Sequence, residues 1–159
     1  MTSALIYSLV ICAVGAALEG LFAGGGIKQR LAELRLPRYG VPFWGWVIIG
    51  GLYYVICFAV LFRLFSIPPS SPRNAAFGLI GAIMFINALW NYFFFRARNL
   101  FHAWLLGLAY SALALALFIL LLGFDRTGAL WLSPYLLYLF YANIWGYRIW
   151  QLNPADPAQ

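Results

Sequence analysis

Charged and chemistry-bearing side chains are scarce in this chain. Its 159 residues include four acids, one histidine and two cysteines, and only 9% are charged. Cys12 and Cys57 both fall inside apolar runs, so neither a disulfide nor a zinc site is suggested, and the thiols read as small hydrophobes. No nucleophile–base pair and no phosphate-binding loop is present, which argues against conventional catalysis. Long polar stretches are missing too, leaving no room for a soluble catalytic domain.

What the chain does have is apolar length. It is 65% hydrophobic, more than a soluble domain of this size can hide. Five runs, about 4–24, 43–65, 75–95, 101–123 and 129–150, fill it almost from end to end. About 20 helical residues span a hydrocarbon core of about 30 Å. The expected fold is therefore an all-α membrane protein, a five-transmembrane-helix bundle forming one domain over 1–159. The first run has no basic leader region and reads as a retained helix, not a signal peptide.

The net charge of +6 is unevenly placed. Lys28, Arg30, Arg35, Arg38, Arg96, Arg98 and Arg148 fall on one side of a five-helix topology, and Arg63, Arg73 and Arg126 on the other. The positive-inside rule then puts the N-terminus out and the C-terminus in the cytoplasm. Cations at the membrane edge meet anionic headgroups, so lipid is the expected partner and nucleic acid is not.

Within the first run, Gly20 and Gly24 form a small-xxx-small pair suited to close helix packing, inside the bundle or against a second copy. Glu19 is the one acid deep in an apolar run, where a carboxylate must face protein or water. Gly24-Gly25-Gly26 breaks the helix. The stretch 27–42 is the longest connection, and its first half suits a short interfacial helix. Ile67 to Pro72 reads as a stiff proline turn, and Asp125 to Gly128 as a tight polar turn. The fourth run is rich in Leu and Ala and is expected to face lipid or a second subunit. The tail after Asn153 is expected to fray.

Helical spacing marks three stripes: Asn87, Trp90, Asn91 and Phe94; Pro134, Tyr138, Tyr141, Trp145 and Arg148; and Trp46, Gly50, Tyr53, Tyr54 and Cys57. Asparagine in hydrocarbon must find partners, so the Asn87/Asn91 face points inward. An interior lined by such groups suits a large, rigid, hydrophobic ligand with polar edges. The competing reading is plain packing, with Trp44, Trp46, Trp104, Trp131 and Trp150 as interfacial belts.

These residues carry a resemblance. The chain resembles the translocator protein family, also called tryptophan-rich sensory proteins (TspO/MBR). Asn87-Ala88-Leu89-Trp90, Phe94-Phe95 and the basic turn Arg96 to Asn99 match the family's third segment. Pro134-Tyr135-Leu136, Ala142, Ile149 and Leu152-Asn153 match its fifth, and Leu52 and Tyr54 its second. The resemblance implies a porphyrin-like (tetrapyrrole) or sterol-like ligand, bound or sensed, with transport and porphyrin breakdown as alternatives. It also implies a homodimer. The implied ligand-binding residues are Tyr54, Asn87, Trp90, Tyr138, Ala142 and Trp145. Tyr54 and Asn87 would give polar contacts, Trp90 and Tyr138 aromatic walls, and Ala142 room for a flat ring. Arg35, Pro37, Arg38, Tyr39 and Pro42 would form the lid, with Arg35 or Arg38 pairing porphyrin propionates.

The chain departs from the family in informative places. Tyr39 stands where the first loop usually has tryptophan, and Val41 replaces a proline. Gly50 and Tyr138 stand where the family's tryptophans are linked to light-dependent porphyrin breakdown, so that activity is not carried over. Six residues separate Tyr141 from Arg148, one more than the loose cholesterol pattern allows. His102, beside Arg96 and Arg98, reads as interfacial and not as a haem ligand. No cofactor or metal is required, although porphyrin or haem is a candidate occupant.

Overall fold

The computed structural model describes residues 2–154 and is all-helical over them. The helices are α1 (Thr2–Ala23), α2 (Ile27–Glu33), α3 (Phe43–Ser66), α4 (Ser71–Asn91), α5 (Leu100–Phe124) and α6 (Arg126–Leu152). A π-helical turn, Tyr92–Arg96, continues α4. The tail expected to fray lies, from residue 155 on, outside the described residues.

Four helices are long and apolar enough to cross a bilayer: α1, α3, α4 with its π-turn, and α5. This chain is an integral membrane protein. The fifth expected span, α6, has ample length at 27 residues but is less apolar. Tyrosines, Asn143, Trp145 and Arg148 interrupt its hydrocarbon character, and most of these turn inward.

Each boundary has a local cause. Gly24 and Gly26 adopt φ of 66° and 87°, where a side chain would be strained, and this stops α1 and re-aims the chain into α2. Ser70 caps α4 by accepting from the Arg73 backbone N–H, and Pro72 sits in the first turn where its missing N–H costs nothing. The proline turn is thus shorter than expected. Asn99 caps α5 by accepting from the His102 N–H at 3.0 Å. Between α5 and α6 only Asp125 is non-helical, so the four-residue polar turn expected there contracts to one residue.

The long helices close a ring. α1 packs on α3 and α4, α3 on α6, α6 on α5, and α5 on α4. α5 is therefore an integral wall of the ring, and its outer face, with Leu105, Leu115, Ile119 and Leu122, is exposed, as its Leu/Ala composition suggested. Its Tyr110, Ala114, Leu117 and Leu121 are buried. The half of the ring near Asp125 is solid, filled by Val60, Leu61, Leu64, Ala76, Ile80, Leu117, Leu121, Ala129 and Leu132. The other half is hollow and covered by α2.

Small residues act at Gly15, where an added Cβ would lie 2.6 Å from the Met84 side chain. The expected Gly20/Gly24 pair makes no such approach. A Cβ at Gly20 meets nothing within 4 Å.

The solid end is pinned by one ion pair. The Arg63 guanidinium donates from Nε to both oxygens of Asp125, at 2.8 and 2.9 Å, and from Nη2 to one of them. The Asp125 side chain is 1% exposed and the Arg63 side chain 36%. Gly128 makes room for that carboxylate, since a Cβ there would lie 2.5 Å from Oδ2. Removing one partner of a buried pair leaves the other unsatisfied. Asp125→Ala is expected to lower stability by about 2–3 kcal/mol, at the lower end because Arg63 reaches solvent. A detergent thermal-unfolding midpoint unchanged from wild type would refute this.

Candidate functional site

The hollow half encloses a cavity of about 190 Å³. Its upper layer is aromatic. Trp90 stacks on Phe94 at 4.7 Å and 18°, Phe94 on Trp145 at 5.8 Å and 23°, and Trp145 meets Trp46 at 4.5 Å. Its floor is tyrosine: Tyr135 contacts Tyr53 at 5.3 Å, Tyr110 at 5.8 Å and Tyr138 at 5.7 Å. Gly50, Gly107, Ala142 and Gly146 leave the space between.

The π-turn shapes the upper layer. Phe94 and Phe95 both line the cavity. The widened turn also disturbs the backbone ladder, and Arg30 of α2, itself buried, donates to the Phe94 carbonyl at 3.4 Å. Arg98, at φ 55°, turns the chain into α5 and pairs with Glu33 of α2 at 3.2 Å. The π-turn and the α2 cover are thus tied together.

Five of the six residues expected to bind ligand line this cavity: Asn87, Trp90, Tyr138, Ala142 and Trp145. Tyr54 does not. Its neighbour Tyr53 takes the inward position, while Tyr54 turns toward α1 and donates to Glu19 Oε2 at 2.7 Å. The broad stripe on α3 contained both tyrosines and did not distinguish which of them faces the cavity.

The lid residues also need correction. Arg35, Pro37, Arg38, Tyr39 and Pro42 do not line the cavity; Ile27 and Leu31 of α2, with Phe43, cover it. The loop after α2 works as a tether. The Asn153 side chain accepts from the Arg35 N–H at 2.9 Å and donates to the Arg35 carbonyl at 3.2 Å. The Tyr141 hydroxyl donates to the Tyr39 carbonyl at 3.0 Å. Pro37 accepts from the Gly40 N–H, Pro42 precedes α3, and Arg38 faces a shallow groove beside Arg148.

Two expected belt tryptophans, Trp46 and Trp104, are cavity walls, whereas Trp44 and Trp131 are exposed. The α5 contribution of Trp104, Gly107 and Tyr110 escaped the sequence reading. Its signal was a repeat at every third residue, masked by the surrounding leucine and alanine. His102 is exposed, stacks on Phe93 at 5.5 Å, and is not part of the lining.

The polar inventory of the lining is unusual. Four buried side-chain atoms have no hydrogen-bond partner among the described residues: the Tyr53 and Tyr110 hydroxyls, Asn143 Oδ1 and Trp145 Nε1. All four residues line this cavity. Buried polar atoms are nearly always paired, so four orphans around one cavity, on α3, α5 and α6, mark a place where polar partners enter.

Fold and site together define a membrane-embedded helical ring around an aromatic cavity with convergent polar atoms. The model of the TspO/MBR family matches residues 8–151, and the chain belongs to that family. No curated protein matches the chain.

The tether makes a direct prediction. Asn153→Ala deletes both contacts to Arg35, worth about 1–2 kcal/mol together. Limited trypsin cleavage at Arg35 and Arg38 is expected to accelerate about five- to thirtyfold. An unchanged rate would show that the tether does not hold the loop.

Proposed function

We propose that this chain is a membrane binding or sensory protein that takes a flat hydrophobic ligand, porphyrin-like or sterol-like, into the cavity under α2. The observation that carries this reading is the set of four orphan polar atoms on the walls of one aromatic cavity. Trp90, Trp145 and Tyr138 offer ring faces, Ala142 and Gly50 offer space, and Asn87 with the orphan atoms offers polar edges. Membership of the TspO/MBR family supports the general class.

Two features favour binding over conduction. The solid half blocks the cavity beneath the tyrosine floor. The volume of about 190 Å³ is also below the roughly 300–1,000 Å³ of drug-sized sites. A whole tetrapyrrole therefore needs α2 to swing outward, and its acid side chains would then meet cations of the tether loop such as Arg35 and Arg38. Tyr138 and Gly50 stand where the breakdown-linked tryptophans of the family would be, which favours retention of the ligand over its degradation.

In this reading α6 is the fifth span, with the N-terminus outside and the C-terminus in the cytoplasm, as the lid-side cations direct. A homodimer completes the assembly. The exposed apolar surface of α1 around Gly20 leaves room for a second copy.

Titration of the detergent-purified protein with protoporphyrin IX, read by tryptophan quenching and Soret shift, tests the proposal. Saturable binding at micromolar Kd or better is expected, weakened about tenfold by Trp90→Ala through loss of the stacked wall. Gly50→Trp is expected to fill the cavity and reduce binding while leaving the fold intact. Non-saturable partitioning into wild-type protein would sink the tetrapyrrole assignment.

A further inference from the structure

Glu19 is the only acid among the lining residues, and no Lys, Arg or His joins it there. It lies on α1, within a helix apolar enough to cross the membrane. Its carboxylate is held from two sides. The Tyr54 hydroxyl of α3 donates to Oε2 at 2.7 Å, and Asn91 Nδ2 of α4 donates to Oε1 at 3.0 Å. Asn91 is itself fixed, because the same amide donates to the Asn87 carbonyl at 3.0 Å. No ion pair involves Glu19 among the described residues.

A carboxylate has room for about four donors. Two positions are filled by neutral protein groups, and the remaining capacity borders the cavity. An intramembrane acid with no cation is costly, and the cost is recovered when a positive or donor group arrives. The other lining helices present the Tyr53 and Tyr110 hydroxyls, which can donate or accept, and Asn143 Oδ1, which accepts. The cavity therefore has a single acidic pole, on α1.

We infer that Glu19 is a recognition carboxylate for a cationic amine or N–H donor on the edge of the ligand, so the preferred occupants are flat hydrophobic molecules bearing a basic nitrogen. This rests on the cavity being a ligand site, as proposed above. A carboxylate-bearing edge at that pole would meet Glu19 with no compensating cation, so acid groups of a ligand must point toward the lid.

Three probes of one ring system test the assignment: 9-anthracenylmethylamine, 9-methylanthracene and 9-anthracenecarboxylate. Each is titrated into the protein in a neutral maltoside detergent at pH 7 and followed by tryptophan quenching. The amine is expected to bind at least tenfold tighter than the methyl compound, and the carboxylate weakest, since a charge-assisted hydrogen bond gives at least that factor. In Glu19→Gln the amine preference should fall to near unity while the methyl compound keeps its affinity. Gln preserves a donor–acceptor bridge to Tyr54 and Asn91, so a purely structural role would change the melting midpoint and leave the selectivity intact. Glu19→Ala gives a second neutral variant should Gln disturb folding.

Equal wild-type affinities for amine and methyl compound, or an amine preference that survives both substitutions, would overturn the Glu19 assignment alone. Failure of 9-methylanthracene to bind wild type saturably would overturn the cavity reading, and this inference with it.

Discussion

Hydrocarbon accepts and donates no hydrogen bonds, so every polar side chain on a spanning helix must find its partner inside the protein. In this molecule that constraint turns Glu19, Asn91 and Asn143 toward the ring interior and Tyr54 toward α1. The contacts they make are also the contacts that hold neighbouring helices in order. Tyr54 and Asn91 join α3 and α4 to α1 through one carboxylate. Asn143 joins α6 to α5 by donating to Ser111 Oγ at 2.6 Å. Closure of the ring and polarity of the cavity thus have the same cause.

The two halves of the ring solve different problems. The half near Asp125 is packed with branched aliphatic and small side chains and pinned by the Arg63 pair, giving a rigid base. The half under α2 is built from large aromatics alternating with Gly and Ala, and large rings beside absent side chains leave space. Phe94 and Phe95 of the π-turn line that space, and Arg30 and Glu33 of α2 bind back to the turn and to Arg98 just after it. Cover and wall are consequently one mechanical unit, so a ligand that displaces α2 also disturbs the π-turn.

Much of the site was legible in the sequence because helical periodicity is a strict geometric code. Asn87, Trp90, Asn91 and Phe94 share a face by spacing alone, and all four line the cavity. The reading failed where one broad stripe held two neighbouring residues, as at Tyr53 and Tyr54. It failed again where composition hid a stripe, as at Trp104, Gly107 and Tyr110. It placed Trp46 and Trp104 in interfacial belts because nearness to a helix end does not report which way a ring points.

By itself the sequence determined the solvent, the break at Gly24 to Gly26, and the inward face of α4. These follow from local properties: apolar length, glycine and proline positions, and the need of asparagine for partners. Only the tertiary structure decided the order of helices around the ring, the one-residue Asp125 corner, the role of α2 as cover with the following loop as tether, and the pairing of Glu19 with Tyr54 and Asn91. Those depend on contacts between residues 35 to 118 positions apart. No local pattern encodes such distances, and only closure of the whole ring brings the partners together.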